Sequence, residues 1–187
     1  MSDSVQSSTV VDAATSPRRR IELLVVFADL TRYQAECARR SDEEVADALD
    51  AHYARVSIHA ERAGGRLVKP IGDAVLVVFP AGRADAAMRA LLDLKAEADE
   101  WFSRHGWRET RLVVKAHVGP VIAGDYGPAN DRRFDVIGHH VNVAATLPSR
   151  DVSISVEAFR ALSPETRKLF KKHTPPVVYI PLDGQRP

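Results

Sequence analysis

Cysteine is almost missing from this chain: Cys37 is the only one in 187 residues, so no internal disulfide framework can form. Stability must come from a packed core, and the single thiol fits a reducing compartment, which makes a cytoplasmic location the expectation. Long apolar runs are missing too. None approaches the roughly 18 residues that span a bilayer, so no membrane segment is expected. A surplus of one charge is absent as well: 26 Lys and Arg against 25 Asp and Glu leave a formal net charge of +1. That balance offers no bulk attraction to nucleic acid or to an anionic membrane, and neither is expected as a partner. The opening stretch, MSDSVQSSTVVDAATSPRRR, lacks the apolar segment of a secretory leader. Residues 1–18 are read as a flexible tail and 19–187 as one folded domain, with Arg18, Arg19 and Arg20 a solvated junction. What is present, 45% hydrophobic and 27% charged residues, is a globular balance at a length that suits one domain with a real core.

The patterning gives an order of elements. Residues 21–28, IELLVVFA, form an apolar, partly β-branched run expected to be a buried central strand. A polar segment follows, and Ser41 then stands three residues before Glu44, the spacing of a capping box. The helix it announces, 42–63, carries Val45, Leu49, Tyr53, Val56 and Ala60 on one face and stops at Gly64–Gly65. RLVKPIGDAVLVVF reads as two strands joined by a turn at Pro70–Asp73. A second helix, 82–104, has Ala87, Leu91, Leu94, Ala98 and Trp101 on one side. Strands at 111–119 and 120–124, a Gly- and Pro-containing loop, a short strand FDVIG and a helix from HHVNVAATL come next. A short strand at VSISV, a Pro-broken helical piece and a strand near VVYI end the chain. The order β-α-β-β-α-β with C-terminal additions is that of an α+β, ferredoxin-like domain. Many unrelated activities share that order, so function has to be read from particular side chains.

Two carboxylates stand where chemistry could use them. Asp29 closes the first strand, and Asp73 lies in the turn of a hairpin expected to be its sheet neighbour. A few hard oxygen ligands of this kind suit Mg²⁺ or Mn²⁺ bound together with substrate phosphates. On residue type alone, both read as ordinary turn aspartates.

Four segments narrow the choice. VVFADLTRY resembles the first metal motif of class III adenylate and guanylate cyclases, and GGRLVKPIGDAVLVVF resembles the second. KAHVGPVIAGDYG looks like the family's strand-turn-strand before the dimerisation arm, and FDVIGHHVNVAATL is similar to its Asp-x-x-Gly-x-x-Val-Asn-x-Ala segment. All four occur in family order over roughly residues 21–150. The resemblance implies a cyclase-homology fold acting as a homodimer on ATP with two divalent cations, Mg²⁺ or Mn²⁺. It makes Asp29 and Asp73 the metal ligands and Asn142 the residue that orients the ribose. It makes Lys69 and Asp135 the purine readers. Lysine only donates and an ionised aspartate only accepts, which suits the adenine edge and mismatches guanine. Guanylate cyclases usually carry Glu and Cys at these two positions. Outside the resemblance, Lys69 reads as a solvated lysine, Asp135 as a strand-end residue, and Asn142 as an inward polar group bonded to backbone.

Two positions depart from the family. An arginine is expected one helical turn after Asn142 to stabilise charge on the triphosphate; here Thr146 stands there, short and uncharged. Arg32 occupies a position where the first metal motif usually has glycine. Arg32 is therefore a candidate to replace the missing charge, with Arg150 a weaker one. These departures keep a second reading open, a cyclase-fold regulatory module that dimerises and binds nucleotide with little or no turnover. A diguanylate cyclase is disfavoured because the hairpin reads IGDAV rather than Gly-Gly-Asp/Glu-Glu-Phe. His139 and His140 lack the further ligands of a zinc site, and Cys37 reads as a packed residue rather than a nucleophile.

Overall fold

The structure is a computed structural model that describes residues 17–174 and 176–182. Most of the segment read as a tail, residues 1–16, lies outside the described residues. Strand β1, Arg19–Leu30, runs through the middle of the sheet with β3 on one side and β4 on the other, both antiparallel. Its apolar run is continuous because both faces are covered. Leu24, Val26, Ala28 and Leu30 point into the larger core cluster, and Leu23 and Val25 into a second one behind it. The strand starts two residues earlier than the apolar pattern, so Arg19 and Arg20 are exposed strand residues, paired opposite Ala123 and Ile122, rather than a junction.

After the short helix α1, Tyr33–Cys37, helix α2 spans Asp42–Arg62. Its capping box forms as expected: Glu44 N–H donates to Ser41 Oγ at 3.2 Å, and Ser41 N–H donates to Glu44 Oε2 at 2.9 Å. Such a cap stabilises a helix by roughly 1 kcal/mol. Strands β2, Arg66–Ile71, and β3, Ala74–Pro80, make the expected hairpin. Helix α3, Ala84–Arg104, packs beside α2 and follows a single 3₁₀ turn at Ala81–Arg83. The two long helices cover one face of the sheet, where Met88, Leu94 and Phe102 of α3 share the larger core cluster with Phe79 of β3. Gly65 is required by that packing: a Cβ there would stand 2.3 Å from the Phe79 ring.

One expectation is corrected in β4. It is a single strand, Leu112–Tyr126, not two strands broken at Gly119–Pro120. On the edge away from β1, β6 pairs only with Val114–Ala116 and β5 begins pairing at Ile122. Pro120 falls in that gap, where no neighbour needs its missing N–H. Strand β5, Arg133–Ile137, and helix α4, His139–Thr146, follow. Strand β6, Val152–Ile154, then lies parallel to β4 and carries β8, Val178–Pro181, and β7, Phe170–His173, beyond it. Helices α5, Val156–Ala161, and α6, Pro164–Arg167, connect them. The sheet order is β2-β3-β1-β4-β6-β8-β7, with β5 paired to β4. Its first four strands and two long helices are the β-α-β-β-α-β core, and the rest is the C-terminal addition. No helix among the described residues is long and apolar enough to cross a membrane.

Candidate active site

The sheet alternation decides where Asp29 points. Leu23 and Val25 belong to the second cluster, and Phe27 packs against it, together with Val141 and Ala144 of α4. Asp29 continues that odd-numbered series, so its carboxylate lies on the α4 face at the end of β1, not on the α2–α3 face. Pairing of Ala28 with Val75 brings the β2–β3 turn alongside, and with it Asp73. The two carboxyls are near enough to interact, and Asp73 is pushed up to about 6, first by burial and then by Asp29. Asp29 Oδ1 also accepts the Leu30 N–H at 3.0 Å. The turn is braced from α2, where the Tyr53 hydroxyl donates to the Gly72 carbonyl at 2.5 Å. Beside Tyr53, His52 is fully buried and pushed down to about 4, chiefly by burial.

Two crowded carboxylates fit a shared divalent cation, which would remove the repulsion between them. Among the described residues no group of three or more His, Cys, Asp or Glu forms a complete metal cage. The donor set therefore suits ions completed by water and substrate phosphates, the habit of Mg²⁺ and Mn²⁺.

Lys69 and Asp135, 66 residues apart, form an ion pair. A β-bulge between Leu67 and Lys69 makes this possible. It sets Lys69 opposite Leu76, a residue of the second cluster, whereas Leu67 sits opposite Val77 of the first. The bulge thus turns the lysine to the face that β5 approaches. Asp135 Oδ1 additionally accepts the Val136 N–H at 2.8 Å. Lys69 is thus paired rather than merely solvated.

Asn142 projects from α4 into solvent and is not the inward, backbone-bonded residue that the helix pattern allowed. Thr146 is exposed one turn later, and its hydroxyl turns back to the Asn142 carbonyl at 2.8 Å and the Val143 carbonyl at 3.4 Å. Arg32 has φ 56°, the left-handed conformation in which glycine is at ease, so the backbone here keeps the shape that the family's glycine serves. Its side chain lies on Glu109, with Nη1 to Oε2 at 2.8 Å and both side chains exposed. Arg150 is exposed on the loop after α4. The neighbouring Cys37 pushes the Tyr33 hydroxyl up to about 12, and Cys37 is itself half-buried.

The histidines hold a role that the sequence did not reveal. His117 of β4 is buried. Its Nε2 lies 2.8 Å from His140 Nδ1, and its Nδ1 lies 2.8 Å from Ser155 Oγ and 3.5 Å from Glu157. Burial, aided by His140 and His139 and opposed by Glu157, holds His117 below the usual histidine value. His140 occupies the space over Gly119, where a Cβ would come within 2.3 Å of its ring. The pair pins the first turn of α4, and Asn142 with it, to the sheet, while His139 stays exposed. Gly119→Ala should therefore displace α4. It is expected to cost about 1–3 kcal/mol in thermal or denaturant unfolding from overpacking. Turnover should fall by roughly 10²-fold, as misplaced groups typically cause. Unchanged kinetics in the folded variant would show that α4 needs no such anchor.

Residues 16–177 match the adenylate and guanylate cyclase catalytic domain family. The chain is 28% identical to adenylate cyclase 2 of Rhizobium meliloti, over 76% of this chain and 42% of that protein. It is 30% identical to the rat soluble guanylate cyclase subunit alpha-1, over 86% of this chain and 23% of that one. It spans less than half the length of these curated relatives. The crystal structure of the adenylyl cyclase CyaB from P. aeruginosa superposes with a TM-score of 0.77 at 21% identity, covering 91% of this chain and 98% of that one. That likeness carries the fold; the sequence match over 16–177 carries the family. The chain belongs to the class III adenylate and guanylate cyclase catalytic domains.

Proposed function

We propose that this domain is an adenylate cyclase, converting ATP to 3′,5′-cyclic AMP and pyrophosphate at sites shared across a homodimer, with two metal ions. The observation that carries the reading is the juxtaposed pair Asp29–Asp73 at neighbouring strand ends. Adenylate rather than guanylate activity rests on Lys69 and Asp135, free to donate to adenine N1 and accept from its 6-amino group once ATP parts them. Mg²⁺ or Mn²⁺ held by Asp29 and Asp73 would supply Lewis acidity toward the 3′-hydroxyl and the phosphates. The residues do the positioning: Asn142 orients the ribose so that the 3′-oxygen faces the α-phosphorus opposite the leaving pyrophosphate. A bond forms from O3′ to that phosphorus, the bond to the bridging oxygen breaks, and the hydroxyl proton is released. Low cysteine use favours a cytoplasmic setting.

The metal pair of one protomer would serve with Lys69, Asp135 and Asn142 of its partner, two equivalent sites about a two-fold axis. Complementation tests this. Asp73→Asn and Asn142→Ala should each be inactive alone, and an equimolar mixture should regain about a quarter of the wild-type rate. The factor follows because half of the dimers are mixed and one of their two sites carries neither change. No recovery from mixed dimers shown to form would place each site within one protomer.

Thr146 favours a second reading, a nucleotide-binding module with little turnover. Arg32 bears on it, because its exposed pair with Glu109 is worth at most about 1 kcal/mol and releases the guanidinium at little cost. As a partial replacement for the missing arginine, Arg32 would be needed for turnover, and unchanged activity in Arg32→Ala would remove it from the site.

A further inference from the structure

We propose that Lys115 supplies the positive charge that position 146 lacks, an inference that rests on the cyclase reading above. Lys115 stands opposite Phe27 in the β1–β4 ladder, on the face of the sheet that carries α4. Its ammonium donates to the Ala145 carbonyl at 3.3 Å, beneath the last turn of α4 and one residue from Thr146. The Thr146 hydroxyl is turned back onto its own helix and offers nothing to an anion.

Lys115 is also short of partners. Lys69 pairs with Asp135, and Lys95 pairs with Asp99 and Asp151. Lys115, partly buried, forms no ion pair with a carboxylate among the described residues and holds only that one long bond to a carbonyl. A cation drawn partly out of water with so little compensation favours an anion brought close to it. Its four-carbon stem lets the ammonium swing from the carbonyl to a phosphate oxygen. By the family resemblance, a charge at the end of α4 would face the triphosphate, and Lys115 would approach that place from the strand below as an arginine would from the helix. Arg32 stands on the turn after β1 rather than under α4, and Arg150 lies beyond the helix on an exposed loop.

The test uses Lys115→Met, which keeps the apolar stem and removes the charge, alone and combined with Thr146→Arg, alongside the wild type and Thr146→Arg alone. Thermal melting controls for folding, and kcat and KM for ATP are measured with Mn²⁺. Loss of one charge that acts in the transition state should lower kcat by about 10²-fold with KM little changed. Adding Thr146→Arg should restore most of that loss, and Lys115→Arg should retain most of the activity. Wild-type kcat in Lys115→Met overturns the proposal and leaves the cyclase reading standing. A loss that Thr146→Arg does not repair makes Lys115 a structural prop for α4 and also overturns it. A wild type without turnover, but an active Thr146→Arg variant, overturns the role of Lys115 while supporting the cyclase site. Absence of product from both removes the cyclase reading and the proposal together.

Discussion

Asp73→Asn is expected to reduce cyclic nucleotide formation by on the order of 10³-fold or more, because a shared metal site worth several kcal/mol loses one of its two carboxylates. The substitution keeps the volume of the turn and removes only charge. Burial makes ionising Asp73 costly in the free protein, and the neighbouring Asp29 adds to that cost. Relief of that cost should leave the melting temperature of Asp73→Asn unchanged or raised, so function and stability move in opposite directions. Mn²⁺ should raise the melting temperature of the wild type through preferential binding to the folded state and should raise that of the variant much less. Equal Mn²⁺ stabilisation of both proteins would show that the carboxylate pair does not hold the metal. Full activity in the variant would remove Asp73 from the chemistry.

The second large effect concerns the base. Lys69→Glu combined with Asp135→Cys should lower the ratio of kcat/KM for ATP over GTP by on the order of 10³-fold, since each polar reader that loses its match is left unsatisfied against the wrong base. The change to the apo protein should be small. The Lys69–Asp135 pair lies at the surface, with the lysine side chain 46% exposed, and such pairs contribute little to folding. Rates for both nucleotides and a melting curve decide the matter. A variant that is equally stable and still strongly prefers ATP would mean that other groups read the purine.

Much of this architecture was legible in the sequence, and the misses have identifiable causes. The core elements declare themselves by period and punctuation: the run at 21–28, the capping box at Ser41 and Glu44, and Gly64–Gly65 after α2. Helix α1 is too short to show a period. Strand β7, FKKH, lies at the sheet edge, where Lys171 and Lys172 need no apolar alternation. Pro120 looked like a break because its tolerance depends on which strands lie alongside β4.

The site divides in the same way. Asp29, Asp73, Lys69, Asp135 and Asn142 were singled out through motif context, and the structure juxtaposes Asp29 with Asp73 and Lys69 with Asp135. The bulge that aims Lys69, the seat of His140 over Gly119, and the reach of Lys115 under α4 are contacts between distant segments. No local pattern of residues encodes them. Arg32 shows the reverse limit: its backbone conformation explains why glycine is usual there, while its side-chain direction was open until Glu109 was seen beside it.

The most direct test of the central claim is to incubate the purified protein with ATP and, separately, GTP in Mn²⁺ and in Mg²⁺, and to quantify cyclic nucleotide across a range of protein concentrations. The account predicts cyclic AMP well above cyclic GMP, no product without divalent metal, and a rate that rises more steeply than protein concentration where dimers begin to dissociate. No cyclic nucleotide from folded, dimeric protein at saturating ATP and metal would contradict it. That result, with nucleotide binding retained, would leave a domain of cyclase family and fold that binds nucleotide without turning it over.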